Sequence, residues 1–136
     1  MPPTDSFRKQ HDEIIEELLK LEVLAKVTPL RAGEVAKQFE FLADKLNAHL
    51  AMEDQILYPM LLRSADSGAV ETTKRFQSEM GGLKMRFMKF YNEWGAAKKI
   101  SSNEARFLAQ LVDISAALKR RVAKENTELY PLADQI

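Results

Sequence analysis

Apolar residues recur at alternating steps of three and four in four separate stretches of the chain. In chain order, they are Phe7, Ile14, Leu18, Leu21 and Ala25; Val35, Phe39, Leu42, Leu46, Ile56 and Met60; Phe76, Met80, Leu83, Phe87, Phe90 and Trp94; and Phe107, Leu111, Ile114 and Leu118. This spacing puts the apolar residues of each stretch on one side of an α-helix. Four such helices bury their stripes against one another. The sequence therefore predicts an all-α fold, an antiparallel up-down-up-down four-helix bundle.

Residues that cap or break helices divide the chain into the same four stretches. Thr28 and Pro29 fit an N-cap followed by proline at the first helical position. Residues 64–68, Ser-Ala-Asp-Ser-Gly, fit a turn, and Ser101 with Glu104 fits a capping box. The predicted helices span residues 5–27, 30–62, 69–98 and 102–126. Because the links between them are short, consecutive helices should run antiparallel.

Composition limits the classes of partner and compartment. The chain has 136 residues, no cysteine, and 20 Lys+Arg against 20 Asp+Glu. A net charge of zero argues against nucleic acid and against an anionic membrane surface as partners. The lack of cysteine excludes disulfides and thiolate metal sites. With neither a signal peptide nor a membrane-spanning run, we expect one soluble, cytoplasmic domain over residues 1–136.

Ionisable residues lie on the predicted apolar stripes. Extending the stripes by the same steps adds His11, His49, Glu53, Arg121 and Glu125, with Lys84 at the edge of its stripe. A buried carboxylate must be paired, protonated or bound to a metal. One solution is a metal ion held by the two histidines and two glutamates. The other is a salt-bridge cluster in which Arg121, with or without Lys84, neutralises both glutamates; Lys84 at the stripe's edge can instead extend to solvent.

A short repeat relates the two glutamates to each other. Residues 53–59 read Glu-Asp-Gln-Ile-Leu-Tyr-Pro, and residues 125–131 read Glu-Asn-Thr-Glu-Leu-Tyr-Pro. The residue four positions before each Glu is His49 in the first copy and Arg121 in the second. At that spacing the two side chains share one helix face. The first copy thus keeps a pair of metal ligands, whereas the second has a cation in place of one ligand.

These motifs resemble the hemerythrin-like domain, also called the HHE cation-binding domain. The resemblance is carried by His11, by His49-x-x-x-Glu53 followed by Leu-Tyr-Pro, and by Glu125 before the second Leu-Tyr-Pro, and it spans nearly the whole chain. It implies a four-helix bundle and, in the family, two irons bridged by two carboxylates and capped by histidines. It also implies that His11, His49, Glu53 and Glu125 occupy ligand positions.

The resemblance is incomplete at three ligand positions. Where the family has a histidine pair on the third helix, this chain has Met80 and Lys84, and where it has a histidine on the fourth helix, this chain has Arg121. In the family pattern all three missing histidines cap one iron. The pattern therefore implies that one iron site is lost, while the other keeps a full ligand set. A working diiron dioxygen carrier is not expected.

Two functions from different classes follow. The first is a hemerythrin-like metal-binding or sensing module that holds at most one iron, zinc or manganese ion and is not an enzyme. The second is a metal-free four-helix bundle that binds a protein partner, another copy of itself or a small ligand. The charge of the core leaves this choice open, because both glutamates, Arg121 and Lys84 sum to zero before any ion is added. A mononuclear iron enzyme is a third reading, and it would need a substrate-sized cavity.

Overall fold

The structure of the protein is a computed structural model that describes residues 4–136. The long helices are α1 (Asp5–Ala25), α2 (Ala32–Met52), α4 (Ser67–Trp94) and α6 (Glu104–Lys124), and the shorter ones are α3 (Tyr58–Leu62), α5 (Ala97–Ser102) and α7 (Tyr130–Asp134). Two π-helical segments, π1 (Glu53–Leu57) and π2 (Glu125–Leu129), join α2 to α3 and α6 to α7. No strand occurs in residues 4–136. The predicted all-α class is confirmed.

Contacts between consecutive long helices show that the bundle is antiparallel. Along α1, Gln10 contacts His49 late in α2, whereas Glu17 contacts Gln38 early in α2. The corresponding pairs between α4 and α6 are Glu93 with Arg106 and Glu79 with Arg121. Within the described residues, none of the helices has the length and apolar content needed to cross a membrane.

The predicted stripes form the core, with a shift of register after Glu53. Nearly all the predicted core positions are buried. Ile56, however, is 50% exposed, and its place in the core is taken by Leu57, while Leu61 is buried beside the half-buried Met60. The prediction of Ile56 as a core residue is therefore wrong, whereas Met60 packs against the core from its edge. The prediction assumed an uninterrupted α-helix through this region.

The shift comes from π1, and the repeat explains why both π-helical segments form. Pro59 and Pro131 have no N–H to donate to the carbonyl four residues earlier, and a proline ring clashes with that carbonyl. The backbone N–H of Tyr58 instead reaches back five residues to the Glu53 carbonyl, and that of Tyr130 to the Glu125 carbonyl. Each wider turn moves the following side chains by about one position around the helix.

Helix ends differ from the predicted caps at two links. Helix α2 begins at Ala32, after Arg31, whose backbone is not helical. Leu30 packs against the core, and Thr28 and Pro29 lie in the loop before it, so they do not cap the helix. Helix α6 is capped by Asn103, whose side chain accepts from the Arg106 N–H at 3.2 Å.

The predicted capping box of Ser101 and Glu104 is consequently absent, since Ser101 lies inside α5. Helix α4 stops at Trp94 rather than at residue 98. The extended backbone of Ala96 redirects the chain, so that Ile100 of α5 is buried in the core. Helix α4 begins at Ser67, two residues before the predicted start, and is capped by Asp66, which accepts from the N–H groups of Gly68 and Ala69.

Candidate metal centre

Four donor side chains meet in the core at the middle of the bundle. His11 comes from α1 and His49 from the last turn of α2, while Glu53 and Glu125 are the first residues of π1 and π2. Each of these residues is at most 2% exposed. One ligand atom from each lies within 4.8 Å of the others. We refer to these four residues as the His–Glu cluster.

Both imidazoles of the cluster are held with the same nitrogen facing inward. The Nε2 atom of His11 lies 2.8 Å from Glu125 Oε1, and that of His49 lies 3.3 Å from Glu53 Oε2. On the outer side, the two Nδ1 atoms lie 2.8 Å from Asn126 Oδ1 and 2.7 Å from Gln10 Oε1, respectively.

Because an amide oxygen only accepts, each Nδ1 carries the proton and donates it. In a neutral ring, Nε2 then directs a free lone pair at the cluster, and in a protonated ring Nε2–H donates to the facing carboxylate. Outer hydrogen bonds of this kind commonly orient metal-binding histidines in proteins.

The hydroxyl of Tyr130 reaches all four members of the cluster. Its Oη atom lies 2.7 Å from Glu53 Oε2, 2.9 Å from His11 Nε2, and 3.4 Å from both His49 Nε2 and Glu125 Oε1. The tyrosine is fully buried. One glutamate oxygen, Glu53 Oε1, is buried without any hydrogen-bond partner among the described residues.

Arg121 lies on the opposite side of Glu125 from the histidines. Its Nε donates to Glu125 Oε2 at 3.3 Å, and its Nη2 donates to the Phe76 carbonyl at 2.8 Å and to Tyr58 Oη at 3.3 Å. The guanidinium also stacks over the Phe76 ring, 4.6 Å from the ring centre, and approaches the Glu79 carboxylate to 3.7 Å. The predicted pairing of Arg121 with a core glutamate is present.

Lys84 does not share this role. It is half-buried and forms none of the ion pairs found within residues 4–136. The buried charges are therefore those of Glu53, Glu125 and Arg121, which sum to minus one when both histidines are neutral. The charge balance expected from the sequence, which counted Lys84, is corrected by one unit.

The pKa values of the two glutamates are shifted in opposite directions. Burial raises the pKa of Glu53, and the nearby charge of Glu125 acts in the same direction. Burial would also raise the pKa of Glu125, but hydrogen bonds from His11 and His49 and the charge of Arg121 hold it below its ordinary value. For His49, burial lowers the pKa, yet hydrogen bonds to Glu125 and Glu53 outweigh it and raise the pKa to about 9. The raised pKa of His49 thus favours a proton on this ring within the cluster.

A small cavity adjoins the cluster between the histidines and Arg121. Its volume is about 10 Å³, and its apolar wall includes Met80, Leu46 and Leu118. This is about the space that one water molecule requires.

Sequence reasoning predicted the His–Glu cluster but missed the residues that surround it. Tyr58 and Tyr130 both belong to the Leu-Tyr-Pro repeat, so the repeat was a usable signal that each glutamate is followed by a buried phenol. Gln10 and Asn126 carry no such signal. Each is next in sequence to a member of the cluster but lies off the apolar stripe, where a polar residue is ordinary.

Two histidines and two glutamates converge in the core of this helical bundle. This arrangement is typical of helical metal-binding domains. A sequence model of the hemerythrin HHE cation-binding domain matches residues 3–133, nearly the whole chain, and the chain therefore belongs to this family. Searches among curated proteins and among solved structures found no match.

Proposed function

We propose that this protein is a hemerythrin-like metal-binding or sensing module that holds at most one metal ion, in the His–Glu cluster. The observation that carries the proposal is the convergence of four buried donor atoms within 4.8 Å of one another. Two imidazole nitrogens and two carboxylate oxygens suit iron, zinc or manganese. A bound ion would supply positive charge between the carboxylates and, if it is iron, a centre that responds to redox state or to small ligands.

The donor set fits one ion in three respects. The unpartnered Glu53 Oε1 is a buried oxygen with coordination capacity to spare. Both histidines point Nε2 inward through fixed outer hydrogen bonds. Finally, the buried charges of Glu53, Glu125 and Arg121 sum to minus one when both histidines are neutral, so that a divalent cation reverses the imbalance without enlarging it.

A second ion has no comparable ligand set. The positions at which the family has the histidines of the other iron hold Met80, Lys84 and Arg121 in this chain. The guanidinium of Arg121 already hydrogen-bonds to Glu125 Oε2, the carboxylate oxygen that would face a second ion. We therefore infer an eroded diiron site that does not carry dioxygen.

We also infer a non-enzymatic role. The cavity at the cluster has a volume of about 10 Å³, which accommodates one water molecule and no organic substrate. Binding or sensing needs only that the ion reach its ligands and that its state alter their packing. Turnover of an organic substrate would need more space than this.

The alternative is a metal-free bundle that serves as a binding module for a protein or small ligand. Hydrogen bonding within the cluster favours it, because three of the four carboxylate oxygens already have partners, and Arg121 compensates Glu125 without an ion. On this alternative the cluster is a structural polar network.

Metal analysis separates the two functions. The protein is purified without chelator, loaded anaerobically with Fe(II), and separately with Zn(II) or Mn(II), then desalted and measured by mass spectrometry of the metal. We expect one ion per chain. Glu125→Gln and His49→Ala should abolish binding, whereas Glu128→Gln, which changes an exposed carboxylate in the same segment π2, should leave it intact. Metal content near zero after every loading supports the metal-free alternative.

Replacing Arg121 provides a complementary test of the eroded site. Arg121→His changes a buried cation into a neutral ligand beside Glu125, so metal content at saturation should rise above that of the parent protein. An unchanged content would mean that the arginine is not what excludes a second ion.

A further inference from the structure

The hydroxyl of Tyr130 occupies a central position in the His–Glu cluster. Its Oη atom is 2.7 to 3.4 Å from a donor atom of each of the four residues. Metal–ligand bonds to histidine nitrogen and carboxylate oxygen are about 2.0–2.2 Å long. An ion that reaches these four donor atoms must therefore come to rest next to Oη.

We propose that Tyr130 is a fifth ligand and binds the ion through its phenolate oxygen. This inference rests on the proposed metal-binding function and specifies the site further. When the ion binds, the phenol O–H bond breaks, a metal–oxygen bond forms and the proton leaves to the solvent. The oxidation state of the metal does not change in this step.

Packing prevents the phenol from moving aside. The Tyr130 ring is fully buried and lies on the His11 ring, with ring centres 5.0 Å apart and an interplanar angle of 24°. Phe7 contacts it at 5.9 Å between ring centres, and the Arg8 guanidinium covers it 5.4 Å from the ring centre. Rotation of the ring out of the cluster would require these neighbours to separate.

Charge supports the same assignment. The buried charges of Glu53, Glu125 and Arg121 sum to minus one, and a divalent ion changes the sum to plus one. Loss of the Tyr130 proton brings it to zero, the arrangement that costs least in a low-dielectric interior. A nearby cation also favours the deprotonated form of a ligand.

Tyr58 provides a matched control within the same molecule. It occupies the same position in the first copy of the repeat, it is also buried, and its Oη lies 3.3 Å from Arg121 Nη2. Arg121 fills that side of Glu125, and Tyr58 Oη accepts a hydrogen bond from its guanidinium. Tyr58 therefore does not face the four ligand atoms of the His–Glu cluster.

Optical spectroscopy of the ferric protein tests the assignment. The protein is loaded anaerobically with one equivalent of Fe(II) and oxidised with one equivalent of ferricyanide. We expect an intense visible charge-transfer band whose resonance Raman spectrum contains tyrosinate ring modes. Tyr130→Phe should retain iron and lose both features completely, whereas Tyr58→Phe should keep them.

A second measurement counts protons. Calorimetric titration with Zn(II), in buffers of different ionisation enthalpy, should show that the parent protein and Tyr58→Phe release one more proton per ion than Tyr130→Phe. If Tyr130→Phe does not fold, the Raman spectrum of the parent protein decides by itself.

The outcomes separate this inference from the proposed function. One Fe(III) per chain without tyrosinate modes, or modes that persist in Tyr130→Phe, would overturn the assignment of Tyr130 and leave the four-ligand site standing. Failure of the parent protein to bind any ion would overturn both.

Discussion

The two copies of the repeat build two different halves of one core. In the first, His49 lies one helical turn before Glu53 and contacts its carboxylate at 3.3 Å. In the second, Arg121 lies one turn before Glu125 and contacts its carboxylate at the same distance of 3.3 Å. The backbone is alike in both copies, since each glutamate opens a π-helical segment that ends before Tyr-Pro.

The difference between the halves lies in how positive charge is supplied. The imidazole of His49 can release its proton and become a ligand, so the charge in its half is exchangeable. An arginine guanidinium is a permanent cation, so the charge in the half that contains Arg121 is fixed. A single difference within a repeated motif is thus enough to replace an exchangeable charge by a fixed ion pair.

The largest expected effect comes from removing the permanent charge. In the metal-free protein, Arg121→Leu leaves the buried Glu125 carboxylate without its guanidinium and should lower the free energy of unfolding by about 3–5 kcal/mol. Urea denaturation measures this value. Adding Glu125→Gln to the same chain should restore much of the loss, because the unpaired charge disappears. A loss below about 1 kcal/mol for Arg121→Leu would contradict a structural role for the pair.

The exchangeable charge should make stability depend on pH. The pKa of His49 is raised to about 9 in the folded protein, above its unfolded value of about 6.5. Its stabilising contribution is therefore complete below pH 6.5 and disappears as the pH rises through 9. Unfolding of the metal-free protein should become easier by up to about 3 kcal/mol across this range.

His49→Gln cannot gain this proton and should flatten the dependence. Arg121→Lys, which keeps a positive charge in the second half, should retain the slope of the parent protein between pH 6.5 and 9. A parent protein whose stability rises over this range would show that His49 is not the titrating group.

The outer hydrogen bonds should have an intermediate effect on metal affinity. Asn126→Leu removes the acceptor that holds the His11 ring, and the dissociation constant of the ion should rise about 10–100-fold. In the first copy of the repeat, the equivalent position is Asp54, which is exposed and contacts neither histidine. Asp54→Leu should therefore leave the affinity unchanged. An equal loss of metal affinity in both variants would show that the Asn126 hydrogen bond to His11 is not the cause.

The smallest effect tests α4, the helix beside Arg121. A Cβ added at Gly81 or Gly82 would meet no atom within 4 Å. Each Gly→Ala change should then stabilise the protein by about 0.4–1 kcal/mol, through helix propensity and a less flexible unfolded chain. Thermal unfolding measures this, and destabilisation would mean that α4 needs these glycines for a close approach or a bend near the second half.

The sequence was sufficient to predict the bundle and the His–Glu cluster because both follow from one helical period. His49, Glu53 and Glu125 lie on apolar stripes, so their burial could be predicted from the spacing alone. Residues beyond each glutamate could not be placed in the same way, since the π-helical turn shifts Leu57 into the position predicted for Ile56.

The surroundings of the cluster were not predictable for a different reason. Gln10 and Asn126 lie off the apolar stripes of their helices. Their amide oxygens accept from histidine Nδ1 atoms on other helices, and only the folded structure shows these contacts. The position of Tyr130 Oη depends on π2 and on packing against His11 and Phe7. A pattern of spacing along one helix contains neither kind of information.

The number and position of bound ions test the central claim most directly. Crystals of the iron-loaded protein, measured at the iron absorption edge, should give one anomalous peak per chain, about 2.0–2.2 Å from His11 Nε2 and from His49 Nε2. The guanidinium of Arg121 should remain on Glu125, with no second peak beside it. A peak on the Arg121 side of Glu125, two peaks, or no peak in the core would contradict a single ion in the His–Glu cluster.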